Sequence, residues 1–101
     1  MYKHLEDINE FEKIVNSEST LIVDFFATWC GPCKMLAPEL EELCEENKDI
    51  TVLSVDVDKF QDLAAKFYIT VVPTMIFFKN GEKANTVKGY MDKDAILKLT
   101  K

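Results

Sequence analysis

The chain has 101 residues, which fits one domain covering residues 1–101, and 48% of them are hydrophobic, enough to fill a core without metal or disulfide support. Acidic side chains number 18 against 12 basic ones, so the net charge is -6, and a surface of this sign repels nucleic acid and anionic lipid. The sequence contains no apolar run of the roughly 20 residues that span a membrane. It also lacks the apolar core of a signal peptide, which favours a cytoplasmic location.

The first half of the chain alternates predicted strands and helices. After a short first strand, Asp7 and Glu10 have the spacing of a capping pair. The helix that they begin has the apolar positions Ile8, Phe11, Ile14 and Val15. Residues 21–27 are apolar except for Asp24 and predict a central strand covered on both faces. A longer helix follows, in which Pro38 is expected to cause a kink. Its inward face is predicted to contain Met35, Leu36, Leu40, Leu43 and Cys44.

The second half predicts two further strands and a hairpin. Residues 50–57 are rich in β-branched side chains and predict a strand. Asp58 is expected to cap a short helix that carries Leu63, Ala64 and Phe67. Residues 74–78 are apolar and predict another strand. The pair Asn80-Gly81 then predicts a tight turn into an antiparallel strand near residues 84–88.

A last helix completes the predicted order. Asp92 is expected to cap it, with Ile96 and Leu97 facing inward. The element order is then β-α-β-α-β-α-β-β-α. Early β-α-β connections favour parallel pairing and the hairpin adds antiparallel strands, so the fold class is α/β with a mixed sheet and helices on both faces.

Two cysteines, Cys30 and Cys33, stand where the strand of residues 21–27 gives way to a helix. The start of a helix offers unpaired N–H groups and the positive end of the helix dipole, and both stabilise a thiolate. Cys33 lies one turn later, so the two sulfurs face the same way and can form a disulfide. Pro32 suits the first helical turn, and Gly31 leaves room for an approaching substrate.

This spacing predicts disulfide exchange. The Cys30 thiolate attacks a substrate disulfide, and Cys33 then attacks Cys30 to release the reduced substrate. Asp24 is the candidate base for Cys33, because burial of this carboxyl group would raise its pKa toward neutrality. Two alternatives remain. Half of a zinc site would have only Cys44 and His4 as further ligands, and a structural disulfide is unusual in the cytoplasm.

Several segments together resemble the thioredoxin family. They are residues 23–38, which include Trp29-Cys30-Gly31-Pro32-Cys33, and then Val55-Asp56-Val57-Asp58, Val72-Pro73-Thr74, Phe78-Lys79-Asn80-Gly81 and Gly89, all in family order. The resemblance covers nearly the whole chain. It implies a central sheet of about five strands flanked by four helices. It also implies a redox-active disulfide, protein-disulfide reductase activity, and a part in electron transport and cell redox homeostasis.

The resemblance implies a role for each residue of the dithiol segment. Cys30 would be the exposed nucleophile and Cys33 the buried resolving thiol. Gly31-Pro32 is typical of reducing members of the family, whereas oxidases and isomerases carry a histidine there. Asp24 would be the buried carboxylate that transfers the proton.

A substrate groove beside the dithiol is also implied. Pro73 would be a cis-proline, and Val72 would offer backbone hydrogen bonds to an extended substrate segment. Trp29 and Gly89 would complete this groove. Ser54 is a departure, since several bacterial members place a lysine near the buried aspartate.

The implied partners are proteins. A flavin-dependent thioredoxin reductase that uses NADPH would regenerate the dithiol, and clients would include ribonucleotide reductase, peroxiredoxins and methionine sulfoxide reductases. The protein itself would hold no cofactor or metal, and we expect a monomer. A second hypothesis is a binding or assembly subunit whose function survives the loss of both thiols. Cys44 is expected to be an inert buried thiol, and His4 a residue of the first strand or the surface without a role.

Overall fold

A computed structural model describes residues Met1–Lys101 as a five-stranded sheet covered by helices on both faces. The strands are β1 (Tyr2–His4), β2 (Thr20–Phe26), β3 (Ile50–Asp56), β4 (Thr74–Lys79) and β5 (Glu82–Lys88). Their order across the sheet is β1-β3-β2-β4-β5. Both β1 and β2 run parallel to β3, while β4 runs antiparallel to β2 and β5. The predicted mixed sheet is therefore confirmed.

Four α-helices connect or follow the strands. They are α1 (Phe11–Ser17), α2 (Gly31–Glu46), α3 (Gln61–Lys66) and α4 (Lys93–Leu99), and a short 3-10 helix (Ile8–Glu10) precedes α1. No helix combines the length and the apolar character needed to cross a membrane. The order of strands and helices is the one predicted.

The two faces of the sheet build two cores. On one face, α1 and α3 bury Phe11, Val15 and Leu63 against the sheet. On the other face, α2 and α4 bury Leu36, Leu40 and Ile96. Burying each of these apolar side chains contributes about 2 kcal/mol. Because side chains alternate along a strand, β2 sends Val23 and Phe25 into the first core. The same alternation turns Asp24 toward α2.

Two of the predicted caps are present. Asp92 precedes α4 and accepts a hydrogen bond from the N–H of Ala95 at 2.9 Å, as predicted. Asp7 accepts one from the N–H of Asn9 at 3.0 Å. The helix that Asp7 begins is the 3-10 turn Ile8–Glu10 and not α1 itself.

Two local predictions are wrong. Asp58 does not cap α3, which starts after Phe60 and has no side-chain cap. The Asp58 carboxylate instead accepts a hydrogen bond from Trp29, and a turn in which Asp56 accepts from the N–H of Asp58 at 2.9 Å delays the start of the helix. Met35 is 60% exposed, although it was expected on the inward face of α2. It lies about 100° before Leu36 around the helix, which puts it outside the buried stripe.

Candidate functional site

The dithiol lies where β2 ends and α2 begins. Cys30 is the N-cap residue of α2, with an extended backbone, and its Sγ accepts a hydrogen bond from the N–H of Cys33 at 3.2 Å. Pro32 occupies the first turn, where a missing N–H costs nothing. A side chain at Gly31 would meet no atom within 4 Å, so this glycine keeps open the surface beside the sulfurs.

Cys30 and Cys33 are joined by a disulfide, with their Cα atoms 5.3 Å apart. Both residues are buried, at 5% and 4% exposure, so the expected exposure of Cys30 is not found in this oxidised form. The reason is packing, because the pair forms a small cluster with Ala27 against which Val57 and Val72 lie. The two sulfurs therefore differ in what they face rather than in how exposed they are.

Cys30 faces the loop that precedes β4. Its Sγ lies 3.7 Å from the carbonyl oxygen of Val72, and the Val72-Pro73 peptide bond is cis, as the resemblance implies. The N–H of Gly89 donates a hydrogen bond to the carbonyl of Pro73 at 2.8 Å. Gly89 has a φ of +95°, a conformation that favours glycine. Three of the expected groove residues are thus brought together, and one of them, Val72, lies against Cys30.

Trp29 forms the exposed edge of the same region. Its side chain is 69% exposed, and its indole N–H donates a hydrogen bond to Asp58 at 2.9 Å. The hydroxyl of Thr74 donates to the carbonyl of Val71 at 2.7 Å and so fastens the loop before the cis bond. Spacing along the chain assigns no such role to Asp58 or Thr74. The only signal for them was their place in the family-like segments.

Asp24 lies in the middle of β2 and is 2% exposed. Burial raises its pKa to about 7, because the charged form loses hydration. Its Oδ1 atom has no hydrogen-bond partner among the side chains and backbone of the protein. A carboxyl group with a pKa near neutrality can both take up and release a proton under physiological conditions.

A cavity of about 260 Å³ joins Asp24 to the dithiol. Cys33 lines it and Cys30 does not. Its other walls include Tyr2, His4, Ala27, Lys34 and Ser54. The cavity forms because Asp24 points toward α2, and Cys33 stands in the first turn of that helix. The carboxyl group thus shares a compartment with the second sulfur.

The alternative ligands for a metal are not assembled. No group of three or more His, Cys, Asp and Glu side chains lies close enough together to hold an ion. Cys44 is 5% exposed in the core between α2 and the sheet, with its Sγ 3.5 Å from the carbonyl of Met1. Burial raises the pKa of the Cys44 thiol, which keeps it in the less reactive protonated form.

Comparisons with known proteins agree with this geometry. Residues 2–101 match the family model described as Thioredoxin. A thioredoxin of Mycoplasmoides gallisepticum is 36% identical over 99 residues, which are 98% of this chain and 99% of that protein. A bifunctional thioredoxin reductase/thioredoxin of Mycobacterium leprae is 41% identical over 93 residues, which are 91% of this chain and 20% of that protein. The solved structure of a mutant thioredoxin from Halobacterium salinarum has a TM-score of 0.92 and 35% identity, covering 98% of this chain and 87% of that one.

Proposed function

Because this chain belongs to the thioredoxin family and is a protein-disulfide reductase, we propose that Cys30 is its nucleophile and Cys33 its resolving thiol. The observation that carries this assignment is the hydrogen bond of 3.2 Å from the Cys33 N–H to Cys30 Sγ at the start of α2. That donor and the positive end of the helix dipole favour negative charge on Cys30. Cys33 faces the cavity of Asp24 instead.

The reaction transfers two electrons from the dithiol to a client disulfide. The Cys30 thiolate forms a bond to one client sulfur, the client S–S bond breaks, and the other client sulfur leaves as a thiolate that takes a proton from solvent. The Cys33 thiolate then attacks Cys30 Sγ and releases the second client sulfur. The client is reduced, and the Cys30–Cys33 disulfide remains.

Asp24 is the proposed base for the second step. Cys33 must lose its proton before it attacks, and Asp24 lines the same cavity as Cys33. Burial raises the pKa of Asp24 to about 7, so at neutral pH a large fraction of molecules have the ionised carboxylate, which can accept a proton. When the dithiol is regenerated, the same group returns a proton to Cys33.

Client binding is assigned to the groove around Cys30. Trp29, Val72, Pro73 and Gly89 are its proposed lining. The carbonyl of Val72, 3.7 Å from Cys30 Sγ, can pair with an extended client segment by strand addition. Gly31 and Pro32 place no positive charge beside Cys30. We propose that this dipeptide is the reason why the Cys30–Cys33 pair acts as a reductant rather than an oxidant.

Family membership also identifies the classes of partner, which are thioredoxin reductase and proteins that contain disulfides. The relative from Mycobacterium leprae unites a reductase and a thioredoxin in one chain, which supports direct electron transfer between the two. In our proposal NADPH is consumed by the reductase. The clients are ribonucleotide reductase, peroxiredoxins and methionine sulfoxide reductases. The chain acts as a monomeric single domain of residues 1–101 in the cytoplasm.

Reduction of insulin tests the assignment of the two thiols. With NADPH and a thioredoxin reductase, the wild type should reduce insulin, and Cys30→Ser should abolish the activity. Cys33→Ser should stop at a covalent mixed disulfide through Cys30, visible by mass spectrometry. Cys44→Ser is the matched control and should keep the wild-type rate. Activity in Cys30→Ser, or a trapped client bound through Cys33, would reject the assignment.

A further inference from the structure

The cavity beside Asp24 is open to the surface. Its exposed walls are His4, Thr28 and Lys34. None of the four proposed groove residues lines it. This opening offers a proton a route between Asp24 and solvent that involves none of those four residues.

A polar row crosses the sheet from Asp24 to this opening. Asp24 pairs with Ser54 on β3, and Ser54 pairs with His4 on β1. Residues in register on neighbouring strands point to the same face, and strands lie about 4.8 Å apart, so the row spans about 10 Å between backbones. In the other direction Asp24 stands opposite Met75, which is apolar and fully buried.

We propose that His4 is the surface end of a proton relay that runs along this row through Ser54 and cavity water to Asp24. His4 is not one of the proposed groove residues, and it acts through Asp24, so it is a positioning residue for the proton. The relay rests on the proposed role of Asp24 as the base for Cys33.

The position of the His4 ring suits this role. The ring packs edge-on against Tyr2 with centroids 5.5 Å apart, and against Phe26 at 6.0 Å. These contacts hold it at the mouth of the cavity while the residue stays exposed. Imidazole is the side chain that both accepts and releases protons near neutral pH. A cavity of about 260 Å³ with polar groups along one wall has room for water between Ser54 and its neighbours.

The other titratable groups near His4 do not fit the role. Burial raises the pKa of Tyr2, so its hydroxyl does not serve as the end of the relay that gives up a proton to solvent near neutral pH. Lys34 lines the cavity from α2, but an ammonium group offers no acceptor. Cys33, also from α2, is the source of the proton. The negative charge of Glu41 helps to raise the pKa of Tyr2, but Glu41 does not line the cavity.

The relay accounts for the proton that Cys33 loses in each turnover. Cys33 gives its proton to the Asp24 carboxylate as the mixed disulfide resolves. Asp24 passes a proton along the row to one imidazole nitrogen of His4, and the other nitrogen releases one to solvent, so Asp24 is ionised again. During regeneration of the dithiol the direction is reversed. No electron moves along the relay, because the sulfurs carry out all the redox chemistry.

Stopped-flow measurements can isolate the step that the relay serves. The fluorescence of Trp29, the single tryptophan, reports on the neighbouring Cys30. A Cys33→Ser background measures the first attack alone, while the intact dithiol measures attack and resolution together. In dilute buffer without imidazole, His4→Gln should slow resolution about fivefold and leave the first attack unchanged. Added imidazole should restore the rate in His4→Gln and have no effect on the wild type.

Two further variants make the result decisive. Lys3→Gln changes the same strand, but Lys3 pairs with Leu53 and belongs to the opposite face of the sheet, so resolution should stay at the wild-type rate. Asp24→Asn should be slow with or without imidazole. A normal rate in Asp24→Asn would reject the base and the relay together. Suppose instead that resolution is slow in Asp24→Asn. The relay alone is then overturned if His4→Gln resolves at the wild-type rate, if imidazole fails to restore the rate of His4→Gln, or if Lys3→Gln is as slow as His4→Gln.

Discussion

Replacing Asp24 with asparagine should stabilise the folded protein, and the gain should grow with pH. Asp24 is 2% exposed, and its Oδ1 has no hydrogen-bond partner in the chain, so its ionised form is poorly solvated. Asparagine has nearly the same shape and does not ionise. The substitution therefore removes the cost of a buried charge without opening a cavity.

The size of the effect follows from the pKa of Asp24, which burial raises from its ordinary value of 3.8 to about 7. Between those two values the folded state binds more protons than the unfolded state, so stability falls as pH rises. Each tenfold change in proton affinity is worth about 1.4 kcal/mol, which gives a full penalty of about 4 kcal/mol above neutral pH. Between about pH 5 and about pH 8 the penalty grows by about 2.5 kcal/mol.

Urea unfolding of the oxidised protein, followed by circular dichroism, measures this difference without titration of the dithiol. The gap in unfolding free energy between Asp24→Asn and wild type should widen by about 2.5 kcal/mol from about pH 5 to about pH 8. Asp49→Asn is the control, because Asp49 is exposed and should show no such widening. A gap for Asp24→Asn that is constant with pH, or that narrows as pH rises, would refute the reasoning.

Two further substitutions test the groove. Gly89→Ala places a side chain on a backbone with φ of +95° and should lower the unfolding free energy by about 1 kcal/mol or more. It should also raise the KM for insulin, because the N–H of Gly89 holds Pro73. An unchanged urea midpoint would contradict the predicted loss of stability. Asp58→Ala removes the acceptor of the Trp29 indole and should shift the fluorescence of Trp29 and raise the KM about twofold. An unaltered emission spectrum would show that Asp58 does not hold the ring.

Local chemistry made the main elements of this fold predictable. Residues 21–27 were predicted as a central strand because only one ionisable residue interrupts an apolar run, and β2 (Thr20–Phe26) is buried on both faces. The cap at Asp92 was predictable because an N-cap bond spans only three residues. Met35 was misplaced because a one-residue step around a helix separates an inward position from an exposed one.

Contacts between distant segments were not predictable from spacing. The bond between Trp29 and Asp58 joins residues 29 positions apart, and a pattern within either segment carries no trace of it. The cis bond before Pro73 and the approach of Gly89 were expected only through the family resemblance. The cavity was harder still to predict, because its walls depend on which strands are neighbours and on the register between them.

Strand order is what connects the stability and the chemistry of Asp24. Because β3 lies between β1 and β2, the carboxyl group has a polar neighbour, Ser54, on one side and Met75 on the other. A buried charge that costs about 4 kcal/mol is large beside a typical net stability of about 5–15 kcal/mol. Such a cost is characteristic of functional sites, where a perturbed pKa is useful. In the proposed mechanism the group, with its pKa of about 7, exchanges its proton in every turnover, and none of the four proposed groove residues lines the cavity that the row toward His4 shares.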